Sequence, residues 1–192
     1  MELPLILASA SPRRKQLLEE AGFVFDVRLP DTHVEDERLP HESPKEYVRR
    51  LAFQKAKSVA DKIEHGIILG GDTIVLCHGN ILEKPVDRND ARNMLRQLRG
   101  QIHDVLSGLC LVKKVRGRKP EVRQEIDMTK LVMQPISDEM LETYLDTESW
   151  WGKAGAFGYQ DSNDWITILE GSESNVVGLP LEVFRTMYGG LH

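Results

Sequence analysis

"LILASASPRRKQLLEEAG", residues 5–22, passes from an apolar run to a helix signature within a few positions. Residues 3 to 9 read as a short buried strand. Ser11-Pro12 supply an N-cap and a proline at the first helical position, and Gly22 stops a helix reaching about Ala21. A strand running straight into a helix points to an α/β fold. Arg13, Arg14 and Lys15 then crowd the first helical turn. A helix N-terminus already carries roughly half a positive charge, so each cation there costs about 0.3 to 1 kcal/mol. An anion bound at this turn would reverse that sign.

Outward from this stretch the chain alternates strands and helices. "FVFDVRL" (23–29) reads as a second strand and "PDTHVEDERLPHE" (30–42) as an acidic surface loop. "SPKE" (43–46) is a capping box opening a helix to about Glu64. Tyr47, Leu51, Val59 and Ile63 keep steps of four along it, and the missing member of that row is Lys55, a cation on the inward face. "GIILGGDTIVLCHGNILEKP" (66–85) reads as a strand, a turn at Gly79-Asn80 and a returning strand. "DRNDARNMLRQLRG" (87–100) is an amphipathic helix, and "IHDVLSGLCLVKK" and "EVRQEIDMTKLVMQPI" are longer strands. Ser137 caps a helix to about Leu145. A Gly-rich stretch follows, then the strand "WITILEG", then a loop leading into a last helix. The expected fold is one domain over 1–192, a mixed, twisted α/β sheet flanked by helices.

The chain of 192 residues has a formal charge of -5, which disfavours general binding to nucleic acid or to a membrane surface. Cys77 and Cys110 sit in separate strand-like runs, so neither a disulfide framework nor a zinc signature is expected. No apolar stretch approaches the roughly 18 residues of a membrane span, and the expected location is the cytoplasm.

Two sets of residues could carry chemistry. Ser9, Ser11, Arg13 and Arg14 offer hydroxyls, guanidiniums and helix N–H groups to a polyphosphate; read otherwise, they are solvated side chains around a plain N-cap. Asp72 interrupts an apolar strand, where a carboxylate is costly unless it binds a metal, pairs with a cation or acts as a base. Lys55 and Lys84 are its candidate partners, and Glu35 and Asp36 are candidates to share a metal with it. A metal, cations over phosphates and a carboxylate that handles water are the parts that phosphoanhydride hydrolysis needs. No G-x-x-x-x-G-K-[ST] sequence occurs, which disfavours a P-loop NTPase.

"LILASASPRRKQLL", "LAFQKA", "GDTIV", "LEKP", "GKAGAFGYQ" and "EGSESNVVGLPL" follow one another in the order and spacing of the Maf-like nucleoside triphosphate pyrophosphatases, which the chain resembles over nearly its whole length. The resemblance implies a mixed α/β fold with two lobes around a central cleft. It also implies hydrolysis of a nucleoside triphosphate to the monophosphate and pyrophosphate, with a divalent cation such as Mg or Mn. Members have been linked to nucleotide-pool cleansing and to inhibition of septum formation, and are often dimers. By resemblance Asp72 is the proton acceptor and a metal ligand with Glu35. Ser9, Ser11, Arg13 and Arg14 bind phosphates, and Lys55 and Lys84 line the cleft.

Arg13, Thr73 and Gln160 match the branch of the family acting on dTTP and UTP; a 7-methyl-GTP branch more often has Ser-Asp-Gln where this chain has Gly71-Asp72-Thr73. A glutamine amide could read the N3–H and O4 edge of thymine or uracil, although a flipped amide would suit cytosine. Phe157 and Tyr159 are candidate stacking surfaces, or else ordinary packing. Asp161 stands where a glycine is common, and Glu173 where an aromatic is frequent. The alternatives are the same reaction on 7-methyl-GTP or CTP, or a non-catalytic nucleotide-binding regulator of septum formation.

Overall fold

The computed structural model describes residues 3–32, 38–161 and 164–191. In chain order the elements are β1 (Leu5–Ala8), α1 (Pro12–Glu20), β2 (Phe25–Val27), α2 (Pro44–Ala60), β3 (Gly66–Cys77), β4 (Asn80–Leu82), α3 (Arg88–Leu98), β5 (Ile102–Lys114), β6 (Glu121–Met133), α4 (Asp138–Asp146), β7 (Ile166–Glu170), α5 (Glu173–Val177) and α6 (Leu181–Gly189), with a single 3₁₀ turn at Ala154–Ala156. The strands form one sheet in the order β2-β1-β3-β5-β6-β7, and β4 pairs with β3. β1 runs parallel to both β2 and β3, while β3–β4 and β6–β7 are antiparallel. This is the mixed sheet flanked by helices that the alternating pattern implies.

The chain divides into two compact units. The first comprises residues 1–72, 107–127 and 178–192, and the second 73–106 and 128–177. Strands β3, β5 and β6 each contribute residues to both.

In the first unit, α2 packs Ala52, Ala56, Val59 and Ala60 against Ile6, Ala8, Ile68, Cys110 and Val112. Its start is the capping box expected from "SPKE": Ser43 Oγ accepts from the Glu46 N–H while Glu46 accepts from the Ser43 N–H. It ends at Ala60 rather than Glu64, because the backbone N–H groups of Lys62 and Ile63 turn back to the carbonyls of Val59 and Ala60. The helix lies directly on the sheet at two glycines. A Cβ on Gly70 would stand 2.3 Å from the Ala52 carbonyl oxygen, and one on Gly108 would stand 2.5 Å from that of Val48.

In the second unit a larger core gathers residues of the β3–β4 hairpin, α3, β6 and α4, with Trp150, Ala156, Phe157 and Ile166. Arg88 and Arg92 of α3 both reach Glu142 of α4, and these two cations hold its carboxyl down at about 2. The segment after Gly171 is helical, where a loop was expected: Ser172 Oγ accepts from the Asn175 N–H, and Glu173 places an acid in the first turn of α5. Among the described residues no helix is long and apolar enough to cross a membrane. Both cysteines are free and buried, and burial pushes the Cys110 thiol up to about 12, which leaves it inert.

Two predictions concern stability. Gly70→Ala and Gly108→Ala must push α2 off the sheet, and each is expected to lose about 1 to 3 kcal/mol in urea denaturation. His103 of β5 is buried edge-on against Phe157, and burial pushes its pKa below the ordinary 6.5. The unfolded chain therefore takes up a proton that the folded protein refuses. Its contribution is intact above about pH 6.5 and is lost as the pH falls below that value. His103→Leu is expected to flatten the fall of the thermal midpoint between about pH 7 and pH 5.

Candidate active site

Arg14, Leu17 and Leu18 form the buried face of α1, so Arg14 is directed inward by the helical period itself. Its Nε donates to the carbonyl of Gly178 at 2.8 Å, and its Nη1 donates to Ser9 Oγ at 3.2 Å. Ser9 Oγ also accepts from the Ser11 N–H at 3.1 Å, and Ser11 caps α1 by accepting from the Arg14 N–H at 3.4 Å. Ser9, Ser11 and Arg14 are thus one hydrogen-bonded cluster. Arg13 is half-buried beside it, whereas Lys15 is exposed and pairs with Glu19 one turn along the helix. The cationic crowding of the first turn resolves into one buried guanidinium, one half-buried guanidinium and one surface ion pair.

Asp72 and Lys55 are brought together. Lys55 Nζ lies 2.6 Å from Asp72 Oδ1, with both residues buried, at 5% and 7% exposure. The cation on the inward face of α2 and the carboxylate interrupting β3 are therefore each other's counter-ion. Arg14 lies on the same stretch of strand: a Cβ on Gly71 would stand 3.4 Å from Arg14 Nε. The cationic helix start and the buried carboxylate are consequently adjacent within the first unit. Gly71 and Gly178 have no side-chain chemistry of their own, so nothing in the sequence singled them out for these contacts.

Thr73, Lys84 and Gln160 belong to the second unit. Thr73 and Lys84 flank the β3–β4 hairpin, whose register pairs Val75 with Leu82. The loop carrying Gln160 docks on that hairpin, with the Gly155 N–H donating to the Glu83 carbonyl at 3.0 Å. Gln160 itself is exposed, in a turn closed by the Asp161 N–H donating to the Gly158 carbonyl at 3.2 Å. Phe157 is a buried core residue against His103, which settles it as packing. Glu35 and Asp36 lie outside the described residues. Among the described residues no three His, Cys, Asp or Glu side chains are gathered to hold a metal.

A mixed α/β sheet that presents a cationic helix start beside a buried carboxylate has the parts from which an α/β protein builds an anion site. The chain belongs to the Maf-like protein family, whose profile matches residues 4–190. It is 46% identical to a dTTP/UTP pyrophosphatase of Rhodopirellula baltica, over 93% of this chain and 78% of that protein. It is 43% identical to a dTTP/UTP pyrophosphatase of Koribacter versatilis, over 95% of this chain and 92% of that one. In fold it is similar to the Ham1 protein of Staphylococcus aureus, with a TM-score of 0.53 and 7% identity, covering 98% of this chain and all of that one.

Removing one member of the buried pair strands the other. Lys55→Met is expected to destabilise the protein by about 3 to 5 kcal/mol, and Lys55→Met combined with Asp72→Leu to recover most of that loss. Urea denaturation of the two variants measures both quantities.

Proposed function

We propose that this protein is a nucleoside triphosphate pyrophosphatase that hydrolyses dTTP and UTP to the monophosphate and pyrophosphate. The observation that carries the reading is the buried Asp72–Lys55 pair beside the Arg14–Ser9 cluster on one stretch of strand. It is supported by the relatives above 40% identity that bear the dTTP/UTP pyrophosphatase name.

In this reading water attacks the α-phosphorus, the bond from that phosphorus to the bridging oxygen breaks, and pyrophosphate leaves. Asp72 accepts the proton of the attacking water. Lys55 fixes the carboxylate in one orientation, which is the first requirement of a general base. Arg13, Arg14, Ser9 and Ser11 hold the phosphates together with the N–H groups of α1, and Lys84 adds a further cation. Arg14 is anchored through two of its donors before substrate arrives, so little ordering is required when a phosphate binds.

Asp72 and, by the family resemblance, Glu35 would hold a divalent cation, Mg or Mn; such an ion commonly takes one or two carboxylates and completes its shell with substrate phosphates and water. When bound, it would offset negative charge on the phosphates. Arg13, Thr73 and Gln160 set base preference, with the Gln160 amide meeting the N3–H and O4 edge of thymine or uracil. Nucleotide-pool cleansing in the cytoplasm, a link to cell-division arrest and assembly as a homodimer complete the reading.

Pyrophosphate release from a panel of dTTP, UTP, CTP, GTP and 7-methyl-GTP tests the substrate; equal or faster turnover of 7-methyl-GTP or CTP would overturn the assignment. Asp72→Asn is expected to lower kcat by at least about 10²-fold while triphosphate binding is kept. Unchanged hydrolysis in that variant would remove Asp72 from its role. Binding without turnover in the wild-type protein would favour a regulator.

A further inference from the structure

Asp161 directly follows Gln160, and the structure gives it a network of its own. Lys153 Nζ reaches both of its carboxylate oxygens, at 2.6 Å for Oδ2, and the Tyr144 hydroxyl donates to Oδ2 at 2.7 Å. The two charged side chains are only 12% and 17% exposed. The bridge lies across the backbone of Gly158: a Cβ there would stand 2.3 Å from Lys153 Nζ and 2.5 Å from Asp161 Oδ2.

Gln160 sits inside the turn that this bridge straddles. Gly158 and Asp161 close the turn by their backbone hydrogen bond, and Lys153 begins the loop that docks on the hairpin. Tyr144 connects the assembly to α4, which Glu142 ties to two arginines of α3. Asp161 and Tyr144 also border a cavity of about 330 Å³, so polar bonds hold this flank of the turn where close packing would otherwise do so. The Gln160 backbone is therefore fixed on both sides, and the residue is exposed.

We propose that Asp161 and Lys153 are positioning residues for pyrimidine selection: their bridge over Gly158 fixes the turn so that the Gln160 amide meets the N3–H and O4 edge of the base. This rests on the reading of Gln160 given above. The amide can turn about its own Cγ–Cδ bond, so the bridge does not choose between its two atoms; it fixes the place and angle at which the side chain leaves the turn. A well-aligned amide–base contact carries the discrimination between uracil and cytosine, and a slack turn loses it.

The test is steady-state hydrolysis of UTP, dTTP and CTP by the full chain carrying Asp161→Asn, Lys153→Met, Lys153→Arg or Gln160→Ala, and by the Lys153→Met/Gln160→Ala double variant. Asp161→Asn and Lys153→Met are expected to raise KM for UTP and dTTP about tenfold, with kcat within about twofold, and to shrink the preference for UTP over CTP by a similar factor. Lys153→Arg restores most of that preference, and Lys153→Met adds little to it once Gln160 is alanine. If Gln160→Ala abolishes the preference while Asp161→Asn and Lys153→Met leave it intact, the clamp is overturned and the base reading stands. If Gln160→Ala itself leaves the preference unchanged, the base reading falls and the clamp with it. An equal loss on all three triphosphates, or a lowered melting temperature with unchanged preference, means a merely structural bridge and overturns the proposal.

Discussion

The contact on which the first unit depends is the seating of α2 on the sheet at Gly70 and Gly108. Without side chains there, helix backbone and strand backbone meet directly, and Lys55 is carried close enough to place its ammonium on Asp72. Burying both charges costs several kcal/mol each in lost hydration, which their mutual attraction repays only in good geometry. Apolar residues of similar volume would commonly hold such a site at least as well. The two buried charges are therefore poorly explained as a stabilising device, and they accord with the role proposed for Asp72, a carboxylate kept in one orientation.

The same economy governs Arg14. A guanidinium in the first turn opposes the helix dipole, yet here it donates to the Gly178 carbonyl, 164 positions along the chain, and to Ser9. Those bonds offset the cost of burying the side chain and fix it before any ligand is bound. The first and last of the six quoted sequence blocks are thus parts of one structure. "SASPRR" supplies the guanidinium and "NVVGLPL" supplies the carbonyl that orients it.

Local chemistry was legible in the sequence wherever one residue suffices to produce it. Ser11, the Ser43–Glu46 capping box and Ser137 all cap helices in the structure, while the β3–β4 hairpin turns at His78-Gly79, one residue before the expected Gly79-Asn80, because Asn80 already pairs with Cys77. Lys55 and Asp72 were each conspicuous for the same reason, a charge at an apolar position, and each proves to be the answer to the other. What could not be read required knowledge of the partner in space. The division into two units follows from strands that run through both, with no linker to mark it. α5 has only five residues, too few for a periodic signal. Asp161 was visible as a departure from a glycine, but its meaning depends on Lys153 and Tyr144 lying next to it.

In the proposed function, selection among nucleotides demands more than contacts to phosphates. A triphosphate tail is common to every candidate substrate, so contacts to it raise affinity for all of them equally and discriminate among none. Discrimination has to come from groups that meet the base, and an amide on a slack turn is a poor reader because its contact with the base edge is not well aligned. Rigidity of the turn is then as important as the identity of the residue at its tip. The second unit supplies that rigidity by tying α3 to α4, α4 to Asp161 through Tyr144, and Asp161 to Lys153 across Gly158. The turn that carries an exposed glutamine is fixed by bonds made entirely by its neighbours, and this is how Asp161 would bear on specificity in the proposed function although its own carboxylate is already committed.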